Sequence, residues 1–235
     1  MFLDKYHTDT EEGVRVSRRQ ASAFAKEIAN DFNPLHDADA KRFCVPGDLL
    51  FALVLARYGL SKRMDFVFSG MVGGDVPLVF PDTTAETIAI RDGAGKEYLV
   101  VERSGDVAAG RDRIRGFIRS YVEFSGHNFP HILVPLMAER GVMINPDRPL
   151  VMYQGMSFEL ERLDFANPRL ELVDSSLEIN KKRGRVLLEF CLTESGEVIG
   201  RGTKSMVLSG LRPYDQACID RLVHAYAARR QACAM

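Results

Sequence analysis

Residues 31–60 read DFNPLHDADAKRFCVPGDLLFALVLARYGL. The first six contain a carboxylate, a carboxamide and an imidazole (Asp31, Asn33 and His36) around Pro34. Proline fixes its own φ and pushes the preceding residue out of the α region, so the segment reads as a stiff loop whose side chains are held. A carboxylate and an imidazole on such a loop form a proton-handling pair, able to position and deprotonate one water. The same residue types are ordinary turn formers, and Asp31 or Asn33 serves equally well to end a helix. After Gly47 and Asp48 the run LLFALVLARYGL is apolar nearly all round. That is the pattern of a helix buried on most sides. Asp48 falls where an acidic side chain meets the helix dipole, and Gly59 supplies a C-cap.

Upstream, GVRVS at residues 13–17 alternates apolar and polar positions and predicts a short strand. Ser17 and Gln20 have capping-box spacing, which predicts a helix start. Ala21, Phe24, Ala25 and Ile28 give that helix one apolar stripe. The helix delivers the chain into Asp31, so the candidate loop hangs from a packed element.

With this helix before it and Ala40 after it, Asp-Phe-Asn-Pro-Leu-His resembles the signature of the MaoC-like, (R)-specific enoyl-thioester hydratases. Those are hot-dog-fold enzymes that add water across the double bond of a trans-2-enoyl thioester. The resemblance is close over residues 17–56 and looser beyond. It implies Asp31 and His36 as the catalytic pair and Asn33 as the supporting asparagine. It also implies Gly47 as the glycine whose backbone N–H polarises the thioester carbonyl at the start of the central helix. The sequence departs from the family in four ways. Pro46-Gly47 stands where His-Gly is usual, and Asp48 where the next residue is usually apolar. Ala52 and Leu53 occupy the region of a common helix serine, and Ala29-Asn30 replaces a common Ser-Gly. These changes leave the implied fold intact and bear on substrate and activity.

At 235 residues, with 46% hydrophobic and 27% charged side chains, the chain has the composition of a globular protein with a sizeable core. A formal net charge of -1 provides no global basic field, which argues against bulk nucleic-acid binding. No apolar run approaches the ~20 residues of a membrane helix. The polar, acidic start MFLDKYHTDTEEG lacks the regions of a signal peptide, so a cytoplasmic location is expected. Cys44, Cys191, Cys218 and Cys233 are scattered without a CxxC pair, so neither a zinc site nor a disulfide framework is expected. Cys44 reads as a small core residue rather than a nucleophile.

Beyond the central helix, strands are predicted in DFVFSGMV, DVPLVF, ETIAIRD and KEYLVVERSGD, the last two flanking a turn at Gly93-Ala94-Gly95. No GxGxxG leads from a strand into a helix, so a dinucleotide site is not expected. Arg111, Arg113 and Arg115, spaced two apart, are expected on one face of a strand. That face is either solvated or a phosphate-contacting patch. FPHILVPLMAERGV at 129–142 echoes VPGDLLFALVLARYGL as a proline, an apolar helix and a glycine stop. Likewise Phe68-Ser69-Gly70-Met71 has a counterpart in Tyr153-Gln154-Gly155-Met156, 85 residues on. Long strands follow, with turns at Asn167-Pro168, Lys182-Arg183-Gly184 and Ser195-Gly196. SGHNFPH, with His127, Asn128 and His131, occupies the place of the first motif without its aspartate, and reads as a degenerate copy kept for structure. From Arg212, Ile219, Leu222, Val223 and Tyr226 give the tail one apolar face, predicting an amphipathic helix packed across the body.

The expected architecture is α+β, a double hot-dog in which two fused units share an antiparallel sheet wrapped around central helices. The expected division is residues 1–110 for the first unit, 111–211 for the second, without its own catalytic pair, and 212–235 for the tail helix. The activity the resemblance implies is reversible hydration of trans-2-enoyl thioesters to (R)-3-hydroxyacyl thioesters. The alternatives are acyl-thioester hydrolysis on the same fold and a non-catalytic acyl-thioester-binding module. No metal or redox cofactor is expected, because coenzyme A or an acyl-carrier phosphopantetheine arrives as part of the substrate. The expected partners are an acyl thioester and its carrier, with the chain a monomeric pseudo-dimer or a homodimer.

Overall fold

A computed structural model describes residues 2–146 and 150–233. The chain opens on a small hairpin of β1 (Thr8–Thr10) and β2 (Gly13–Arg15), then enters α1 (Arg18–Glu27). The Ser17 side chain accepts the Gln20 N–H, and the Gln20 side chain accepts the Ser17 N–H at 2.9 Å, closing the predicted capping box. Ser17→Ala removes one half of this cap. It is expected to cost about 1 kcal/mol, which lowers the melting midpoint by ~2–4 °C in a chain of this size, readable by calorimetry.

A 3-10 turn at Pro34–His36 separates α1 from α2 (Gly47–Tyr58), in which every residue from Asp48 to Leu55 is buried. Four strands follow, β3 (Leu60–Phe68), β4 (Leu78–Val79), β5 (Thr87–Asp92) and β6 (Glu97–Ala108). β4 is far shorter than predicted, because Pro77 and Pro81 bracket it and proline donates no ladder hydrogen bond. β3 starts directly after Gly59, so Lys62 and Arg63 lie inside a strand.

The next element corrects an expectation. Arg111, Arg113 and Arg115 lie not on a strand but in the first turns of α3 (Arg111–Gly126). The longer pattern overrides the local alternation: Ile114, Phe117, Ile118, Tyr121, Val122 and Ser125 recur at helical spacing, and all are buried. Short helices α4 (Asn128–His131) and α5 (Leu133–Glu139) lead to β7 (Val142–Met143). Then come the long strands β8 (Val151–Leu160), β9 (Arg169–Asn180), β10 (Arg183–Glu194) and β11 (Glu197–Ser209). The chain ends in β12 (Arg212–Pro213), paired with β7, and α6 (Gln216–Cys233). The last two residues of the predicted tail lie outside the described ones.

Among the described residues, ten strands form one antiparallel sheet in the order β1-β2-β4-β5-β6-β3-β8-β11-β10-β9. Each half contributes a run of neighbouring strands, and the halves join at β3 and β8, where Met64 faces Phe158 and Phe66 faces Met156. β3 follows the buried helix of the first half and β8 follows α5 of the second, so equivalent strands meet at the seam. This is the double hot-dog: one continuous sheet curled around central helices. Phe51 on α2 packs against Phe66 at 5.2 Å and Tyr121 at 4.5 Å between ring centroids, so the α2 core is shared by both halves. A second cluster, including Leu136, Met137, Val186, Leu188 and Leu208, also receives Ile219 of α6. Among the described residues, no helix is long and apolar enough to cross a membrane.

Candidate active site

The loop between α1 and α2 is pinned at both ends and along its length. Asn30 turns the chain out of α1 with a φ of 51°, in the left-handed region that asparagine tolerates better than most residues, so it serves where glycine is common. The Asp31 N–H then bonds the Ala25 carbonyl at 2.8 Å. Lys26 bridges Asp37 at 2.9 Å, and Arg18 donates to the carbonyls of Ala38 and Ala40. Asn33 Oδ1 accepts the Leu35 N–H at 3.1 Å, so this side chain caps the 3-10 turn and holds the loop.

On this frame Asp31 Oδ1 accepts the Asn33 N–H at 2.9 Å, which aims Oδ2 at His36 Nε2, 3.7 Å away. The other ring nitrogen, Nδ1, donates to the Cys44 carbonyl at 2.9 Å. A separation of 3.7 Å is too long for a direct hydrogen bond, and one water can touch both atoms. Cys44 contributes its carbonyl and a sulfur 3.9 Å from Nδ1, so it orients the imidazole.

Both groups face a cavity of about 590 Å³ that also reaches Gly47 at the start of α2. As the first residue of the helix, Gly47 has no intrahelical acceptor for its N–H. A Cβ here would come within 3.3 Å of the Phe68 ring and 3.4 Å of the Tyr153 ring, so a larger residue would press on the Phe68 ring. The cavity is walled by both halves, with Tyr153, Ser125 and Lys204 opposite the loop. α6 closes one side. The Tyr226 hydroxyl accepts the Phe32 N–H, and the carbonyls of Asn30 and Gly126 are its two possible acceptors, all at 3.3 Å.

The sequence reading missed a buried polar chain beside Gly47. Asp48 is not a solvated first-turn acid: it is 8% exposed, and its Oδ2 accepts the Ser125 hydroxyl at 2.5 Å. Ser125 in turn accepts a hydrogen bond from the ammonium of Lys204, which is 2% exposed. The Lys204 nitrogen lies 4.2 Å over the Tyr153 ring, whose hydroxyl bonds that of Tyr121. One signal was available. Lys204 shares its strand face with Met206 and Leu208, a lysine in phase with core positions. His127 and His131, by contrast, do not line the cavity, although Asn128 and Phe129 between them do.

Burial shifts each titrating group. A quarter of the Asp31 side chain is accessible, yet enough protein surrounds it for burial to raise its pKa, helped by the charge of Asp48 and opposed by His36 and the Asn33 N–H. Burial works against the imidazolium of His36, but contact with the Cys44 side chain and the charge of Asp31 outweigh it and raise its pKa to about 9. Burial lowers Lys204 to about 8 against the pull of Asp48 and Asp31. Tyr121 and Tyr153 are both raised well above the ordinary phenol range by burial and by Asp48.

The raised pKa of His36 makes stability depend on pH. The folded protein holds this proton more tightly than the unfolded chain, so the contribution is complete below pH 6.5 and is lost as the pH rises through about 9. Lys204 is shifted down and acts with the opposite sign, so the comparison is with His36→Gln, which retains a donor for the Cys44 carbonyl. The stability advantage of wild type over this variant is expected to be largest near pH 6 and to shrink steadily towards pH 9.5 in chemical denaturation.

With this geometry in hand, the sequence matches, over residues 1–217, the family described as a protein of unknown function (DUF3581), and the chain belongs to that family. Comparison with curated proteins returns no match. Among solved structures, similar folds include a MaoC-like dehydratase at 10% identity and a TM-score of 0.46, covering 87% of this chain and 98% of that one. A conserved protein of unknown function with hot dog fold from Alicyclobacillus acidocaldarius has 10% identity and a TM-score of 0.44, covering 89% and 98%. An acyl-CoA thioesterase II, TesB2, from Mycobacterium marinum has 12% identity and a TM-score of 0.41, covering 91% and 97%. At such identities and TM-scores these likenesses speak to neither activity nor substrate.

Proposed function

We propose that the chain is a hydro-lyase that adds water reversibly to trans-2-enoyl thioesters, giving (R)-3-hydroxyacyl thioesters. The observation that carries this reading is the pairing of Asp31 Oδ2 with His36 Nε2 at 3.7 Å, on the wall of a cavity that reaches the N-terminus of α2. The cavity size suits a small acyl group with part of its thioester arm. In this reading the enoyl group lies with its β-carbon at the Asp31–His36 water and its thioester oxygen at the Gly47 N–H. There the orphan amide and the helix dipole favour developing negative charge. The Asp31 carboxylate accepts a proton from the water as its oxygen bonds the β-carbon. The imidazolium of His36 returns a proton to the α-carbon. The two groups then exchange the proton to reset, and the net change is one water added across the double bond. The step calls on acid–base groups alone, with coenzyme A or an acyl-carrier phosphopantetheine entering as part of the substrate. We read residues 1–110 as the unit that supplies the pair, 111–211 as the unit that completes the cavity wall, and 212–235 as a tail covering its side.

The test offers the purified protein crotonyl and longer enoyl thioesters and follows two signals in parallel. Hydration removes the ultraviolet absorbance of the conjugated double bond without releasing thiol, and this is the expected result. Release of free thiol with the double bond intact would replace the reading with thioester hydrolysis. Saturable binding with neither signal would leave a binding module.

A further inference from the structure

Asp48 stands at the helix N-terminus, where the proposed reaction needs negative charge to accumulate on the substrate. A lone carboxylate there opposes that charge, and Pro46 supplies no side-chain donor to offset it. The offset comes from the other half of the molecule. Lys204 reaches across from β11 and meets the Asp48 carboxylate through the Ser125 hydroxyl. An ammonium carries three N–H donors. Ser125 takes one, the face of the Tyr153 ring attracts the charge, and no further acceptor bonds the ammonium among the described residues. A buried donor left unsatisfied is costly, and this one lines the same cavity as Asp31, His36 and Gly47. A lysine serving only to neutralise Asp48 would be expected to contact that carboxylate directly.

We propose that Lys204 donates one of its remaining N–H groups to the carbonyl oxygen of the bound thioester, so that the oxyanion site is built from the Gly47 amide of one half and the Lys204 ammonium of the other. As the water oxygen bonds the β-carbon, the electron pair of the double bond moves towards the thioester oxygen as an enolate. Lys204 stays protonated and hydrogen-bonded to that oxygen. The enolate collapses when the α-carbon takes its proton from His36. The effect on rate rests on the hydration reading, whereas the contact with the carbonyl does not. The charged and titratable groups facing Lys204 are Asp48 from α2, Asp31 from the loop and Tyr153 from β8.

The test uses the full chain, with butyryl-coenzyme A and its thioether analogue, in which a methylene replaces the carbonyl, as ligands in calorimetry. Crotonyl-coenzyme A hydration is measured alongside. Wild type is expected to bind the carbonyl ligand ~10-fold or more tightly than the thioether, as befits a hydrogen bond from a charged donor. Lys204→Met is expected to erase that preference and to lower kcat by ~10²–10³-fold, with a smaller change in KM. The double variant Asp48→Asn/Lys204→Met leaves no unpaired buried charge, and it is expected to lose the preference equally should the single variant fold poorly. Wild-type preference and kcat retained in both variants would overturn the role of Lys204 and leave hydration standing. A preference present in wild type and lost in the variants, with no hydration by wild type, would overturn the reaction and leave the contact standing. A wild type that does not distinguish the two ligands, or binds neither, overturns the contact.

Discussion

Asp31→Asn and His36→Gln are each expected to lower the rate of enoyl-thioester hydration by ~10²–10⁴-fold, the range for a positioned acid or base. Asparagine keeps an acceptor for the Asn33 N–H, and glutamine keeps a donor for the Cys44 carbonyl, so neither change cuts the contacts that shape the loop. Both variants should therefore melt cooperatively and retain butyryl thioester binding while kcat collapses. In the proposed reaction the two side chains act on one water, so the double variant should be little slower than the worse single one. Steady-state kinetics on the three variants checks this. Wild-type rates in either single variant would remove that residue from the mechanism.

Gly126→Ala is expected to have the largest structural effect, although it touches no proposed reacting group. Gly126 ends α3 where that helix abuts the turn into the Asp31–His36 loop. A Cβ there would fall well inside the van der Waals radius of the Ala29 carbonyl oxygen, with the Ala29 carbonyl carbon 2.7 Å away. The obstacle is backbone, held by α1 on one side and by Asn30 in its left-handed conformation on the other. Overpacking of this kind costs ~1–3 kcal/mol or more, which means a melting midpoint lower by several degrees. The relief has to come from moving Ala29 to Asp31, so hydration should fall together with stability. Gly93→Ala is the control, because a Cβ there meets nothing within 4 Å. Calorimetry and kinetics on the pair check the expectation, and equal behaviour of the two variants would show that the α3–loop contact is not rigid.

The difference between what could and could not be read in advance follows from the range of the interactions. Ser17 and Gln20 bond each other, Pro34 stiffens its own turn, and Gly59 stops its own helix, so the path from α1 through the loop to α2 was legible from neighbours in the chain. The long strands with turns at Gly93–Gly95 and Ser195–Gly196 were legible for the same reason, whereas the turn expected at Lys182–Gly184 falls at Lys181-Lys182, with Arg183 and Gly184 already inside β10. The arginines at 111, 113 and 115 misled because a three-residue alternation was weighed without the apolar positions that follow it. The stretch around Leu78 misled because two prolines cut a strand that composition alone favours.

Sequence by itself determined the helix-capped loop that carries Asp31 and His36 and the buried helix beyond, each a matter of residues within a few positions of one another. Only the tertiary structure decided that Asp48 is joined through Ser125 to Lys204, because the links span 77 and 79 residues and the first of them exists only once the halves have closed on a common cavity. The physical reason is that backbone preference is local, whereas desolvation and charge pairing depend on what the fold brings together. An aspartate at a helix start and a lysine on a strand look solvated in the sequence, until the sheet curls around α2 and removes the water from both.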